Sequence, residues 1–395
     1  MSSFGWTYLS RDALRQAERQ LSGVGDGVRD EIGFLILHQR YADYFFPGTS
    51  VLHTRLRYAL FVPWIYLTLY EENGSLVRDR LRRSEISLAG RLNKTSKDDG
   101  VIGGHRYPDA TSQPPSVSYW GALGTWGILR SQDGRWPSRT YVHGLLQNNH
   151  RRALDDDGHA MARTELPFVA LPPLPANWPG TGPLDFKLLP REAGFLHARF
   201  SELRPANSTQ LSMLARLAAG GRVEAKQCWE PGLVELAEGD GPRLRRAGYA
   251  ASLAAVGRAV YAALVETLRE EEDHQPSGMR HREHLPLVLA QHAAAAGRVK
   301  LDQLLEDTGP LPKEVVDVIE QTLAWLKAGG NNPMTLRDSY ENAECQRKTQ
   351  RARLSRLFGA PRRIEWNGDE HALAEPLHYR WRQVSRLLHD LWAAA

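Results

Sequence analysis

The sequence predicts a mostly α fold, and three observations carry the prediction. Apolar residues recur at helical spacing along nearly the whole chain, and alternating runs are few. Caps, glycines and prolines fall at the ends of those periodic stretches. At 395 residues the chain has room for about two or three domains, and eleven Trp, thirteen Tyr and ten Phe can supply much of their cores.

Trp6-Thr7-Tyr8-Leu9 reads as a short edge strand or an extended arm. Ser10 then caps a helix whose Ala13, Leu14, Ala17 and Leu21 form an apolar stripe ended by Gly23. A second helix starts near Asp30, buries Ile32, Phe34, Leu35, Leu37 and Tyr41, and stops at Pro47. The turn Pro47-Gly48-Thr49-Ser50 feeds a helix that is apolar on nearly every side. Val51, Tyr58, Phe61, Ile65 and Leu69 lie on one face, with Leu60, Trp64 and Leu67 opposite. Such a helix is either a membrane span or a core element. The uninterrupted stretch is shorter than the about 20 residues a span needs and contains Pro63, so the core is expected. An amphipathic helix over 76–92, a polar loop over 94–113 and a short helix from Pro114 follow. That last helix should hold Val117, Tyr119, Trp120 and Leu123 inside and close at Trp126-Gly127-Ile128-Leu129.

Seven prolines between Pro167 and Pro190 are too dense for helix or central strand, which marks an extended connection. Helices are expected again over 191–203, 208–219, 243–272, 281–296 and 313–328. After the break at Gly329-Gly330-Asn331-Asn332-Pro333 come two basic helical segments, 347–358 and 379–393. The organisation is therefore a helical N-terminal domain over 1–165, a proline-rich connection over 166–190, a helical domain over 191–330 and a basic helical end over 331–395.

Net charge is only +4, but it is unevenly placed. From Cys345 onward there are ten Lys or Arg against five Asp or Glu, while the preceding residues carry 40 basic and 41 acidic groups. A localised basic end is the electrostatic footprint of a nucleic-acid binder, although a solvated helix face has the same composition. Cys228 and Cys345 form no spaced pattern, which argues against a disulfide framework and fits a reducing cytoplasm. The N-terminus has neither the basic region nor the apolar run of a signal peptide, and no stretch reads as transmembrane, so a cytoplasmic protein without membrane partners is expected.

Three blocks carry a family resemblance. They are Phe46-Pro47-Gly48-Thr49-Ser50 with Arg55, Arg57, Tyr58, Phe61, Val62, Pro63 and Trp64; Pro115-Ser116-Val117-Ser118-Tyr119-Trp120 with Leu123, Trp126, Gly127 and Ile128; and Trp366-Asn367-Gly368 with Tyr379-Arg380-Trp381. In order and spacing the chain resembles an uncharacterised bacterial family, domain of unknown function six-three-six-one, over most of its length. The resemblance brings no established active site. It implies a setting in antiviral-defence neighbourhoods, beside helicases and phospholipase-D-like nucleases. The Ala-rich helix over 243–272 departs from the family pattern.

Two constellations could carry binding. His53, Arg55 and Arg57 fall in the first turns of the expected central helix, where the dipole disfavours cations and an anion would offset them. Thr49, Ser50, His53 and Arg57 are thus an anion-binding candidate; the alternative is a buried pairing with Asp43 or Glu31. At the basic end, Arg347, Lys348, Arg351, Arg353, Arg356, Arg362, Arg363, Arg382 and Arg386 are the nucleic-acid-binding candidates. On the last helix Trp381, Val384, Leu387, Leu388, Leu391 and Trp392 share one arc, opposite Arg382, Arg386 and His389. Arg380 lies inside the apolar arc and should pair with a carboxylate.

Other patterns are weaker. The Tyr119-Trp120 helix has no Arg or Lys between Pro114 and Leu129, so it reads as core rather than as a recognition helix. His281 and His284 are three apart and lack the four-apart, glutamate-bearing spacing of a zincin. His143, His150, Asp155, Asp156, Asp157 and His159 are ligand types in one region, but an acidic run is more often a solvated turn. Neither a phosphate-loop motif nor a nucleophile elbow is present, and no metal or cofactor is expected. The expectation is a nucleic-acid-binding accessory or sensing subunit, with DNA favoured and a helicase or phospholipase-D-like nuclease as partner. The alternatives are an enzyme acting on a nucleotide or phosphodiester and a protein–protein adaptor.

Overall fold

A computed structural model describes residues 31–72, 75–96, 99–150 and 164–394. The expected strand at Trp6–Leu9, the helix from Ser10 to Gly23 and the acidic run Asp155–Asp157 with His159 lie outside these residues. Among the described residues there are sixteen α-helices and no strand, which makes the fold mostly α. In chain order the helices are α1 (Leu35–Phe45), α2 (Tyr58–Glu72), α3 (Val77–Asn93), α4 (Pro115–Ser118), α5 (Trp120–Thr125), α6 (Arg139–His150), α7 (Pro190–Ser201) and α8 (Met213–Gly220). The second half adds α9 (Pro231–Leu236), α10 (Gly241–Glu271), α11 (Arg280–Ala296), α12 (Leu301–Thr308) and α13 (Lys313–Lys327). The last three are α14 (Arg337–Lys348), α15 (Gly359–Ile364) and α16 (Trp381–Trp392).

The chain divides into two compact units, one of residues 42–226 with 380–395, the other of residues 1–41 with 227–379. In the 42–226 unit the core is α2, whose Tyr58, Phe61, Trp64, Ile65 and Tyr66 are all buried. The proline-rich stretch runs extended along this helix. Trp178 stacks on Phe61 at 5.8 Å, Phe186 meets Tyr58 at 5.3 Å, and the Trp64 indole donates to Pro172 O at 3.2 Å. Prolines forbid a helix here, yet the aromatic residues among them are drawn into the unit by burial, which is worth about 1.5–3 kcal/mol for each large side chain. Gly48 takes φ +77°, and a Cβ there would lie 2.7 Å from Trp126 Nε1. Trp126 in turn donates to Pro47 O at 3.1 Å, so the turn before α2 is pinned by the end of α5.

The 227–379 unit is built on α10, 31 residues long, with α11 packed along it. Its alanines let neighbours approach from all sides. It is the single helix among the described residues long and apolar enough to cross a membrane, and 89% of its apolar window is buried inside the protein. Buried polar groups around it are paired. Glu344 accepts from Tyr261 Oη at 2.6 Å and from the Leu354 N–H at 2.9 Å. Asp307 accepts from both Arg243 and Arg246 at 2.5–3.0 Å.

Three expectations are corrected. The central helix begins at Tyr58, not at Val51. Backbone N–H groups before Tyr58 find side-chain partners that compete with a helix: Ser50 donates to His53 Nδ1, and Thr54 and Arg55 donate to Tyr119 Oη at 3.0 and 3.1 Å. Val117, expected inside, is 37% exposed, because α4 is a single turn that stops at Ser118. The segment 347–358 is not a helix. It leaves α14 at Lys348 through a 3-10 turn, Thr349–Arg351, and then runs irregularly, and Arg362-Arg363 lies in α15.

Candidate functional site

The turn before α2 is closed on itself. Thr49 Oγ1 donates to Phe46 O at 2.6 Å, and Ser50 Oγ accepts the Leu52 N–H at 3.2 Å. His53 is buried, with Nδ1 accepting the Ser50 N–H at 3.2 Å, so Nε2 must carry the proton it directs at Ser118 O, 3.1 Å away. Burial drives its pKa down to about 3, with the positive charge of Arg380 adding to the effect. Arg57 is 4% exposed and turns away from His53. It bonds Asp185 at 3.1 Å, the Asp185 carbonyl at 3.0 Å and the buried Glu192 at 2.8 Å. Thr49, Ser50, His53 and Arg57 therefore do not form an open anion site. A neutral imidazole and a guanidinium already held by two carboxylates leave nothing for phosphate to offset. The pairing is of the buried kind considered for Arg57, with Asp185 and Glu192 in place of Asp43 or Glu31; Asp43 pairs instead with Arg380, at 2.6 Å.

The basic end is largely occupied by its own neighbours. Lys348 lies 3.3 Å from Glu344 and 3.9 Å from Glu31, and Arg353 lies 4.0 Å from Glu31. Arg356 pairs with Asp338 and Glu341, and Arg362 with Glu365. Arg363 is 2% exposed and pairs with Asp273 at 2.6 Å, so it holds α15 in place rather than facing a ligand. Arg386 meets Asp99 at 2.6 Å. Arg347, Arg351 and Arg382 are exposed. Arg347 to Arg363 belong to the 227–379 unit, and Arg382 and Arg386 to the 42–226 unit. Exposed pairs such as Arg356–Asp338 are solvent-screened and can be broken by a phosphate, whereas the buried Arg363–Asp273 pair cannot be opened so cheaply.

A different basic cluster lies in the 42–226 unit. Arg78 and Arg82 on α3, Arg106 in the following loop and Arg139 at the start of α6 line one cleft of about 640 Å³. Among the described residues none of the four makes a salt bridge, whereas Arg80, on the same helix but outside the cleft, is paired with Glu72. Much of the remaining lining is apolar: Leu81, Ile86, Ala89, Ile102, Pro114 and Val117. Two carboxylates, Glu85 and Asp109, and His143 also line it. Glu85 is buried and accepts the Ser116 N–H at 2.8 Å; burial raises its pKa, partly offset by that bond and by Arg139. His143 Nε2 lies 2.9 Å from Tyr66 Oη. Its pKa falls to about 4, through burial first and then through the charges of Arg139 and Arg78. The sequence held part of this signal, since Arg78, Arg82 and Glu85 recur at helical spacing on the predicted amphipathic helix. Arg106 and Arg139 join them only through the fold.

A family model described as "Family of unknown function (DUF6361)" matches residues 1–230. The chain belongs to this family. Neither a curated protein nor a solved structure matches the chain. All four cleft arginines lie within the segment matched by DUF6361, whereas the basic end and the Trp366–Gly368 block lie beyond it.

His281 and His284 are occupied locally. His281 Nε2 bonds Gly368 O at 2.9 Å and His284 Nε2 lies 3.3 Å from Ala374 O. Among the described residues no three His, Cys, Asp or Glu side chains are grouped to hold a metal ion.

Proposed function

We propose that the protein binds nucleic acid, with DNA favoured, and that the arginine cleft of the 42–226 unit is its principal contact. One observation carries this reading: four guanidinium groups that make no salt bridge among the described residues line a single cleft, while most cations of the basic end are paired with carboxylates within the protein. Guanidinium forks match phosphate oxygens in pairs, and an arginine kept without a carboxylate is available to do so. The exposed Arg347, Arg351 and Arg382 would add long-range attraction rather than the main grip. Within this reading the protein is a cytoplasmic accessory or sensing subunit in bacterial antiviral defence, and a helicase or phospholipase-D-like nuclease supplies the chemistry. That setting rests on the family resemblance.

The test is anisotropy with a labelled DNA oligonucleotide over a salt series. Arg82→Glu with Arg106→Glu should weaken binding at least tenfold at low salt and flatten the log–log salt slope, by about 0.7 per lost contact on single strands and about 0.9 on duplex. Charge reversal at Arg351 and Arg382 should shift it much less. Equal affinity of wild type and the cleft variant would overturn the proposal.

A further inference from the structure

From the shape and lining of the cleft we infer that it receives one unpaired nucleotide, the phosphate on the arginines and the base against the apolar wall. The inference rests on the cleft being the nucleic-acid contact. A groove that only tracks a phosphate backbone needs cations and little else. This one is half apolar: Ile86, Ala89, Ile102, Pro114 and Val117 face the same space as Arg78, Arg82, Arg106 and Arg139. Its volume of about 640 Å³ falls in the range of about 300–1,000 Å³ typical of pockets that enclose a small ligand. A duplex could offer such a cleft only its outer phosphates and would leave the apolar wall wet. An unpaired nucleotide satisfies both walls at once, because any base presents an apolar face. The protein then reads strand ends, gaps or extruded bases in preference to continuous duplex.

Titration calorimetry with 2′-deoxyadenosine 5′-monophosphate, deoxyadenosine and inorganic phosphate tests this. The nucleotide should bind at least about tenfold more tightly than either part alone, since each part fills one wall. It should also compete for a labelled single strand. Val117→Asn is at an exposed position, adds no charge, and should weaken the nucleotide severalfold while leaving phosphate nearly unchanged; Arg82→Ala should weaken both. Phosphate binding as tightly as the nucleotide would reduce the cleft to an anion site and overturn the inference. A single strand that needs Arg82 and Arg106 yet is not displaced by saturating nucleotide would also overturn it, while leaving the nucleic-acid reading intact. A nucleotide bound in the cleft by a protein with no affinity for DNA would overturn both that reading and the preference for unpaired strands, leaving a site for free mononucleotides.

Discussion

Asp390, on the last helix, holds Arg55 and caps the segment that leads into α2. The guanidinium reaches both carboxylate oxygens at 2.8–3.1 Å, and the Leu56 N–H donates to Oδ2 at 2.8 Å. A carboxylate at this point also meets the positive end of the helix. Asp390 is buried and Arg55 nearly so, with Asp99 taking the outer edge of the guanidinium at 2.6 Å. Asp390→Asn keeps the shape but removes the charge. It should cost about 2–4 kcal/mol, less than the loss of a wholly isolated buried pair because Asp99 still compensates Arg55. Thermal or urea unfolding measures it, and a change below 0.5 kcal/mol would show that the pair has little structural weight.

Arg57 should behave as a structural residue. Its partners are Glu192, 1% exposed, and Asp185; Glu192 also accepts the Leu189 N–H at 3.1 Å and so closes the first turn of α7. Arg57→Met leaves Glu192 buried without its cation, a change that costs about 3–5 kcal/mol. Under conditions where the variant stays folded, its DNA affinity should remain within about twofold of wild type. Unchanged unfolding with lost DNA binding would return Arg57 to the ligand side.

The sequence made local relationships legible and left distant ones hidden. The split of α16 into Trp381, Val384, Leu387, Leu388, Leu391 and Trp392 against Arg382, Arg386 and His389 follows from helical spacing alone; the first five are buried as expected, and Trp392, at the helix end, is half-buried. Arg380, placed on the apolar arc by the same geometry, does find a carboxylate in Asp43. Spacing could not reveal that Arg57 meets carboxylates 128 and 135 positions away, or that Asp390 caps Leu56 from 334 away. Tyr119, which takes the Thr54 and Arg55 N–H groups from 65 and 64 positions away, delays the start of α2 in the same hidden way. The cleft was half legible: Arg78 and Arg82 declare themselves on one helix, but Arg106 and Arg139 lie on separate segments that only folding brings beside them.

Gly257, inside α10, should resist even alanine. A Cβ there would lie 2.3 Å from Phe34 Cε2, 2.8 Å from Cζ and 3.2 Å from Tyr340 Oη, all buried. Helix propensity favours alanine over glycine by about 1 kcal/mol, whereas overpacking a rigid core costs about 1–3 kcal/mol. The clash should win, with a net loss of about 1–2 kcal/mol for Gly257→Ala. Phe34→Leu in the same chain should recover part of that loss, and additivity of the two changes would refute the contact.

Acid should weaken the fold before its carboxylates titrate. His53 and His143 have pKa values lowered to about 3 and about 4, from an ordinary value of 6.5, by burial first and by neighbouring arginines second. Both stay neutral in the folded protein, while in the unfolded chain they take up protons near pH 6.5. The unfolded state therefore binds more protons between about pH 6.5 and pH 4, and stability falls with pH across that window by up to about 1.4 kcal/mol per unit for each histidine. Above pH 7 the two contribute no slope. His53 gives the sharper case, because a second ring proton would face the Ser50 N–H that Nδ1 now accepts. Urea midpoints from pH 7.5 to pH 4.5 check this. The wild-type midpoint should drop steadily below pH 6.5, and His53→Gln and His143→Gln should each flatten that drop by about half; a wild-type midpoint constant to pH 5 would contradict the neutral, buried state of both rings.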